Sequence, residues 1–313
     1  MPLIYTYDLP IGLPHTNYNQ LAEYLMLMQV GHFQWQSIAK TIQTPLSELR
    51  TKDGGEVYAT FYYIEEQIPE GTTLPHFQLD DTVRFLIHLR GFKNIAIDGR
   101  IIFHHKHIIE QASIQSDDEF IKAYSTGVYP SIRLSNVFVT PLSSNETLKL
   151  ASPVNASFDH FQPLANQENA YNITRMAGAK GTFGLFDSDD WVGTNPSTPF
   201  SIVYDINPDR DSNGAGLVYF ANYISFFDWA ERKSLSDYEV DLPVERLPMR
   251  ALRSRQLAYY GNVNLEDSIR ITILRFQNKR DNKLIGFRYR ITRVQDEKLI
   301  CLSEAIKSIP LSD

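Results

Sequence analysis

The segment Leu79-Asp80-Asp81-Thr82-Val83-Arg84-Phe85-Leu86-Ile87 returns in the second half of the chain as Leu265-Glu266-Asp267-Ser268-Ile269-Arg270-Ile271-Thr272-Ile273, with four identities and mostly conservative changes. A repeat constrains the fold more than composition does, because each copy must build the same structural unit. Two further pairs keep the same order. Gly31-His32-Phe33-Gln34-Trp35 and Ser225-Phe226-Phe227-Asp228-Trp229 precede the two copies, and Phe61-Tyr62-Tyr63 and Ala258-Tyr259-Tyr260 stand in between. The 313 residues suit two domains of about 150 residues each.

Each half opens with an aromatic-rich apolar stretch, Glu23 to Val30 and Leu217 to Ile224, that leads into a predicted central helix. These helices are expected over Gly31 to Ile42 and about Phe220 to Lys233. Strand-like runs follow at Glu56 to Ile68, Thr82 to Leu89 and Asn94 to His105, then at Leu252 to Tyr260, Ser268 to Phe276 and Leu284 to Arg293. Many alternate as half-buried strands do. One helix followed by consecutive antiparallel strands predicts an α+β fold in which each half wraps a sheet around its helix, rather than alternating β and α units. Residues 141–200 are rich in Ser, Asn, Thr, Gly, Pro and Asp, which is linker chemistry. The expected division is a first domain over 1–145, an irregular linker over 146–195 and a second domain over 196–313. Neither a Gly-rich phosphate fingerprint nor a P-loop is present.

Charge excludes one class of partner. A net charge of −7 opposes a broad phosphate-binding surface, so no nucleic acid is expected. Hydrophobic residues at 43% against charged residues at 21% supply ample core material. The single cysteine, Cys301, excludes an internal disulfide and a Cys-based zinc cluster. The amino-terminal Met-Pro-Leu-Ile-Tyr lacks a basic and apolar leader pattern, and no window is apolar enough to span a bilayer. The expectation is a cytoplasmic protein with no membrane partner.

Residues Asp211-Ser212-Asn213-Gly214-Ala215-Gly216-Leu217-Val218-Tyr219-Phe220-Ala221-Asn222-Tyr223, continuing through Phe226-Phe227-Asp228-Trp229-Ala230-Glu231-Arg232, resemble the strand-turn-helix segment of hot-dog acyl-CoA thioesterases. The chain as a whole resembles the double-hot-dog acyltransferase/decarboxylases of leinamycin-type polyketide biosynthesis. That wider likeness rests on Gly12-Leu13-Pro14-His15 with Leu21-Ala22-Glu23, on Gly31 to Trp35, on Val57-Tyr58-Ala59-Thr60-Phe61-Tyr62-Tyr63, on Asn213 to Phe220 and on Gln256 to Asn262. It implies a tandem hot-dog and a reaction on acyl-CoA in which a malonyl- or methylmalonyl-type thioester loses carbon dioxide. The acyl group then passes to an acyl carrier protein. It also implies a catalytic tyrosine, corresponding to Tyr58, with Tyr62 and Tyr63 as register-shifted alternatives. No cofactor is implied beyond the coenzyme A of the substrate, and no metal. Hot-dogs pair to complete their sites, so both a monomer and a homodimer are open.

One departure bears on the chemistry. Where many thioesterases carry a catalytic carboxylate, this chain has Asn213. An amide is no general base at neutral pH, although it can donate to a developing oxyanion. Hydrolysis is therefore the alternative reading, kept open by Asp211 two residues upstream, and a non-catalytic acyl-binding module is a third. The resemblance makes Asn213 catalytic beside Tyr58 and makes Gly214, Gly216, Leu217, His15 and Tyr62 substrate-binding. The enolate of a decarboxylation would draw on the backbone donors at Gly214 to Leu217, with the first half's Tyr58 strand approaching this turn. The structural readings stand beside these. Asn-Gly is a common tight-turn pair, strand tyrosines fill sheet cores, His15 can cap the entering chain, and His104-His105-Lys106-His107 reads as a solvated strand end rather than a metal site. Trp35 and Trp229 read as core residues of the central helices.

Overall fold

The computed structural model describes residues 4–17, 20–141, 148–194, 199–237 and 250–309. The chain divides into two compact units, Met1–Asn172 and Ile173–Asp313. In order, the first carries β1 (Ile4–Pro10), β2 (Thr16–Asn17), β3 (Gln20–Leu21), α1 (Glu23–Ile42), β4 (Tyr58–Gln67), β5 (Thr82–Phe92), β6 (Ala96–His105), α2 (Lys106–Ala112), α3 (Asp117–Thr126), β7 (Ser131–Pro141), β8 (Leu148–Leu150) and β9 (Gln162–Pro163). α4 (Ala170–Lys180) runs across the division. The second continues with β10 (Trp191–Gly193), β11 (Phe200–Asp205), α5 (Pro208–Asp211), α6 (Asn222–Asp237), β12 (Ala251–Tyr259), β13 (Ser268–Asn278), β14 (Leu284–Arg293) and β15 (Leu299–Ser308).

The first unit's antiparallel sheet runs β1, β5, β6, β7, β4. The second runs β12, β15, β14, β13, with β11 and β10 sharing the free edge of β13. Each sheet wraps one long helix, so each unit is a hot-dog and the chain is a tandem of two.

The duplication reaches hydrogen-bond detail. The Asp81 carboxylate accepts from Gln78 N at 2.8 Å, and Asp267 accepts from Asn264 N at 2.8 Å. Each carboxylate closes the acidic turn that starts its strand, as Asx side chains do. Beyond it, Ile11 N donates to Asp81 O at 2.8 Å and Ile206 N to Asp267 O at 3.1 Å. The strand leading to the unit's long helix, β1 or β11, is thereby set antiparallel on β5 or β13.

α1 begins eight residues ahead of the predicted Gly31 start. The apolar stretch before Gly31 is itself helical, and its Met26, Leu27 and Val30 share the buried face with Phe33 and Ile38. The tryptophans pack as expected. Trp35 stacks on Phe61 at 5.3 Å, and Trp229 meets Tyr204 edge-on at 5.5 Å.

Within residues 146–195 the structure places β8, β9, α4 and β10; the turns read at 142–147 and 195–198 lie outside the described residues. In these connecting segments β8, β9 and β10 extend the sheets by pairing with β7, β5 and β13. Phe161 lies against Gly91 of β5 and Phe186 against Gly286 of β14, where added β-carbons would stand 2.8 and 2.3 Å from the aromatic side chains. Leu86 and Ile102 of the first sheet meet Ile109 of α2 and Phe120 of α3 in a separate outer cluster. β5 and β6 are accordingly buried on both faces, whereas β11 and the first half of β13 alternate.

Two histidines sit in this outer layer. His88 is fully buried, 3.3 Å from Asp117 and stacked at 5.3 Å on Phe120. His104 accepts from His105 N at 2.8 Å and faces Thr72 at 3.3 Å. Burial, then the charges of His105, His107 and His76, push His104 down to about 4 from 6.5. Burial also lowers His88, against the pull of Asp117. His104 is therefore neutral near pH 7, and at both positions protons bind the unfolded chain first. Stability should be full above about pH 6.5 and fall as the pH drops toward about 4, read as melting temperature against pH. His104→Gln should flatten that profile, and an unchanged slope would refute the assignment. Gly99→Ala should cost about 1–3 kcal/mol in urea unfolding, as overpacking does, because its β-carbon would stand 2.0 Å from the Gln34 carbonyl oxygen.

Candidate functional site

The connection from β11 to α6 is the part of the second unit where chemistry-bearing side chains gather. Asn207 caps α5 by accepting from Asp209 N at 3.1 Å. Asp211, 1% exposed, accepts from the Tyr204 hydroxyl at 2.8 Å, from Asn207 N at 2.9 Å and from Arg210 Nε at 3.1 Å. Its carboxylate thus anchors the connection and is not presented to solvent.

Asn213 stands at the head of a narrow loop. Its N–H donates to Leu217 O at 2.8 Å, its own carbonyl accepts from Gly216 N at 2.9 Å, and its side-chain oxygen accepts from Ala215 N at 3.0 Å and Leu217 N at 3.1 Å. Gly216 has φ of 70°, which an L side chain adopts only with strain. The bridge from Ser212 to Val218 and the bond from Tyr219 N to Asp211 O at 2.8 Å hold the loop's base. The N–H groups of Ala215, Gly216 and Leu217 are thus bonded within the loop, while that of Gly214 takes no part in these bonds. The Asn213 side chain acts here as an acceptor, which leaves its NH2 as the group with donor capacity. α6 starts at Asn222, whose amide donates to Arg210 O at 3.3 Å.

A second group lies further along α6. Glu231, fully buried, accepts from the Tyr289 hydroxyl and from Lys307 Nζ, the latter at 2.6 Å, and pairs with Arg250 at 2.9 Å. Lys307 also holds Asp228 at 2.8 Å, whose side chain is 34% exposed. Burial raises the Asp228 pKa, but Lys307 and Arg250 outweigh it, so the carboxyl lies below its usual range. Burial and then Glu231 hold the Tyr289 phenol well above its own. Arg255 lies over the rings of Phe227 and Tyr289 at 5.6 and 5.8 Å. Sequence reading did not single out this constellation. Its only trace was two acidic residues three apart, Asp228 and Glu231, in an otherwise aromatic helix.

In the first unit, the Tyr58 hydroxyl donates to Glu56 at the start of β4. That bond, then burial, raises the phenol's pKa, which opposes a nucleophilic phenolate. The Tyr62 hydroxyl donates to Asn169 at 3.0 Å, and Tyr63, fully buried, donates to Glu65 at 3.1 Å. A register shift between Phe61 and Tyr63 marks a bulge there. His15 accepts from Gly12 N at 3.0 Å through Nδ1, which is the capping geometry. His76 repeats it on Thr73 N at 3.0 Å. Tyr58, Tyr62 and His15 thus fall in the first unit, and Asn213, Gly214, Gly216 and Leu217 share one loop of the second. Among the described residues no three His, Cys, Asp or Glu side chains gather as a metal site, and no helix is long and apolar enough to cross a membrane.

Against this geometry, no protein-family profile and no curated relative matches the chain. Solved structures do. An oleoyl thioesterase from Lactobacillus plantarum superposes with a TM-score of 0.63 at 9% identity, over 99% of this chain and 97% of that one. An acyl-ACP thioesterase from Bacteroides thetaiotaomicron gives 0.55 at 12% identity over 97% and 98%. The 12:0-ACP thioesterase from Umbellularia californica gives 0.54 at 8% over 98% of both chains. At these identities the likeness is one of fold, the double hot-dog over its full length.

Asp211→Asn should cost about 1–3 kcal/mol, since the exchange turns one acceptor oxygen into an NH2 facing donors. Chemical unfolding measures it. A variant as stable as the parent would mean the carboxylate is not the anchor.

Proposed function

We propose that this chain acts on acyl groups held as thioesters of coenzyme A or of an acyl carrier protein, with hydrolysis as the leading reading. The observation that carries it is a tandem hot-dog spanning almost the whole chain, shared with three solved structures that all bear thioesterase names. The chemistry needs no cofactor beyond the substrate's own pantetheine arm. Hydrolysis requires a carboxylate to activate water or attack the thioester carbon. In the second unit Asp228 meets that need best, being ionised and one-third exposed, whereas Asp211 is enclosed by its own donors. Lys307 and Glu231 fix the Asp228 carboxylate from behind.

Decarboxylating transfer to a carrier protein is the second reading, and Asn213 favours it. An amide at the loop head cannot take a proton from water, but its NH2 can donate to the oxyanion of an enolate formed as carbon dioxide leaves. This reading also uses Tyr58, as a hydrogen-bond donor whose one proton must first leave Glu56, since that bond disfavours the phenolate.

Incubating the protein with oleoyl-, malonyl- and methylmalonyl-CoA, with and without an acyl carrier protein, separates the two by mass analysis of the products. Hydrolysis gives free coenzyme A and free acid. Decarboxylating transfer gives carbon dioxide and a shortened acyl group on the carrier. Under the leading reading Asp228→Asn should lower turnover by about 100-fold or more while the protein still melts cooperatively. Full activity in that variant removes Asp228 from the mechanism. Under the second reading Tyr58→Phe should lower turnover by about 10- to 1000-fold, and Asn213→Asp should raise the hydrolytic share. Unchanged thioester in every incubation would overturn both.

A further inference from the structure

A cleft of about 460 Å³ opens on the outer face of the first unit's sheet, lined among others by Glu65, Arg100, Tyr124, Ser125, Ser131 and Arg133. All of its lining residues belong to that unit. Its volume falls in the range of small-molecule sites, about 300–1,000 Å³, and its lining sets charged and hydroxyl groups beside Ile68 and Pro69.

The two guanidinium groups are fixed before any ligand arrives. Arg133 donates through Nε to Asp98 at 2.8 Å and through Nη2 to Glu168 O. Arg100 donates through Nη2 to the Glu168 carboxylate at 2.8 Å and lies 3.5 Å from Asp98. Arg90 holds the other oxygen of Glu168 at 2.9 Å. These bonds leave the Nη1 group of both Arg100 and Arg133 outside them. The side chains are only 13% and 10% exposed, and Arg100 lies 5.7 Å from the Tyr124 ring centre.

Negative charge stands in the same cleft. Glu65 accepts from Tyr63 through one oxygen at 3.1 Å, which leaves the other outside that bond. Ser125 lies in the last turn of α3, and Gly127 ends that helix with φ of 64°. A helix end of this kind carries unpaired carbonyls and a partial negative charge.

Arg100, Arg133 and Glu65 are the charges that line the cleft, and behind them Arg90, Asp98 and Glu168 bring the group to three cations and three carboxylates. The formal charges cancel, so a simple anion or cation gains little from the net field. A molecule carrying both signs gains at both ends, because Arg100, Arg133 and Glu65 stand in one cross-strand row on β6, β7 and β4 with the carboxylate at its end. We propose that this cleft binds a small zwitterion of the α-amino-acid class. Its carboxylate meets Arg100 and Arg133, and its ammonium meets Glu65 and the carbonyl end of α3. Guanidinium groups suit a carboxylate through paired N–H donors. The inference concerns a site apart from thioester chemistry and does not rest on it.

Titration calorimetry of the full chain against each of the twenty common amino acids tests the assignment, with acetate and methylamine as the single-charge probes. At least one amino acid should bind with a dissociation constant of about 1 mM or tighter, and the single-charge probes about tenfold or more weaker. Ser125→Phe, at an exposed helix position, should fill the cleft and abolish binding while far-ultraviolet circular dichroism stays unchanged. Glu65→Gln should weaken it about tenfold or more. Failure of all twenty to bind at about 10 mM, equal binding of acetate or methylamine, or full affinity in either variant would overturn the proposal.

Discussion

Each sheet of this protein buries one face and much of the other, and most of what the structure does with its charged residues follows from that. A helix fills one face, and connecting segments close much of the other. Polar groups shut in on the second face must find partners in the protein, because a buried charge without them is strongly unfavourable. In the first unit Asp98, Arg133, Ser135, Arg100 and Glu168 answer the requirement as one network. In the second, Glu304 accepts from Thr182 at 2.7 Å and Leu185 N at 2.9 Å and pairs with Arg288. The same device is used twice with different residues. In the second unit a strand carboxylate fastens the segment that crosses over it, and in the first the strand arginines fasten the carboxylate of Glu168 in that segment.

The helix side carries polar groups as well, and here the units diverge. Beneath α1 the Gln34 amide donates to Leu134 O at 2.9 Å and to Asn136 at 2.5 Å, a neutral arrangement. Beneath α6 the corresponding region holds Glu231, Lys307, Tyr289, Arg255 and Arg250. An ionic cluster in a core seldom stabilises as much as apolar packing would. Its presence beneath α6 and not beneath α1 is the main chemical difference between the two copies.

The repeat, the strand runs and the helix-then-sheet order were legible because they depend on local patterns. The Asp81 and Asp267 turns are visible as sequence and identical as hydrogen bonds. What escaped was set by partners far along the chain. β7 and β15 are long strands, yet Arg133, Ser135, Asn136 and, in β15, Glu304 and Lys307 break their apolar pattern, and each is tolerated only because it finds a distant counter-group. α4 hides in a polar stretch that reads as linker. Its Gly178 admits the Tyr260 ring, and the Tyr260 hydroxyl donates to Thr174 O at 2.8 Å. The Glu231 cluster escaped for the same reason, since Tyr289, Arg255 and Lys307 come from three different strands.

The loop at Asn213 shows how far one residue can be read in two ways. As a turn residue it is fully explained, because its side-chain oxygen takes two of the loop's N–H groups and its main chain makes two further bonds. An aspartate could make the same acceptances and would make them more strongly, since a charged acceptor roughly doubles such a bond. Loop stability alone therefore gives no reason to prefer the amide. What the amide alone supplies is an NH2 donor on the far side of the same planar group, at the entrance to α6. A carboxylate there would repel an enolate or a thioester oxyanion, and an amide can bind one. Asp211 then falls into place as the anionic anchor, enclosed by Tyr204, Asn207 and Arg210 so that its charge is spent on the loop's base. The arrangement leaves a neutral donor at the head of the loop and a partly exposed carboxylate, Asp228, six residues into α6, which is the ground for proposing Asp228 rather than Asp211 for hydrolysis.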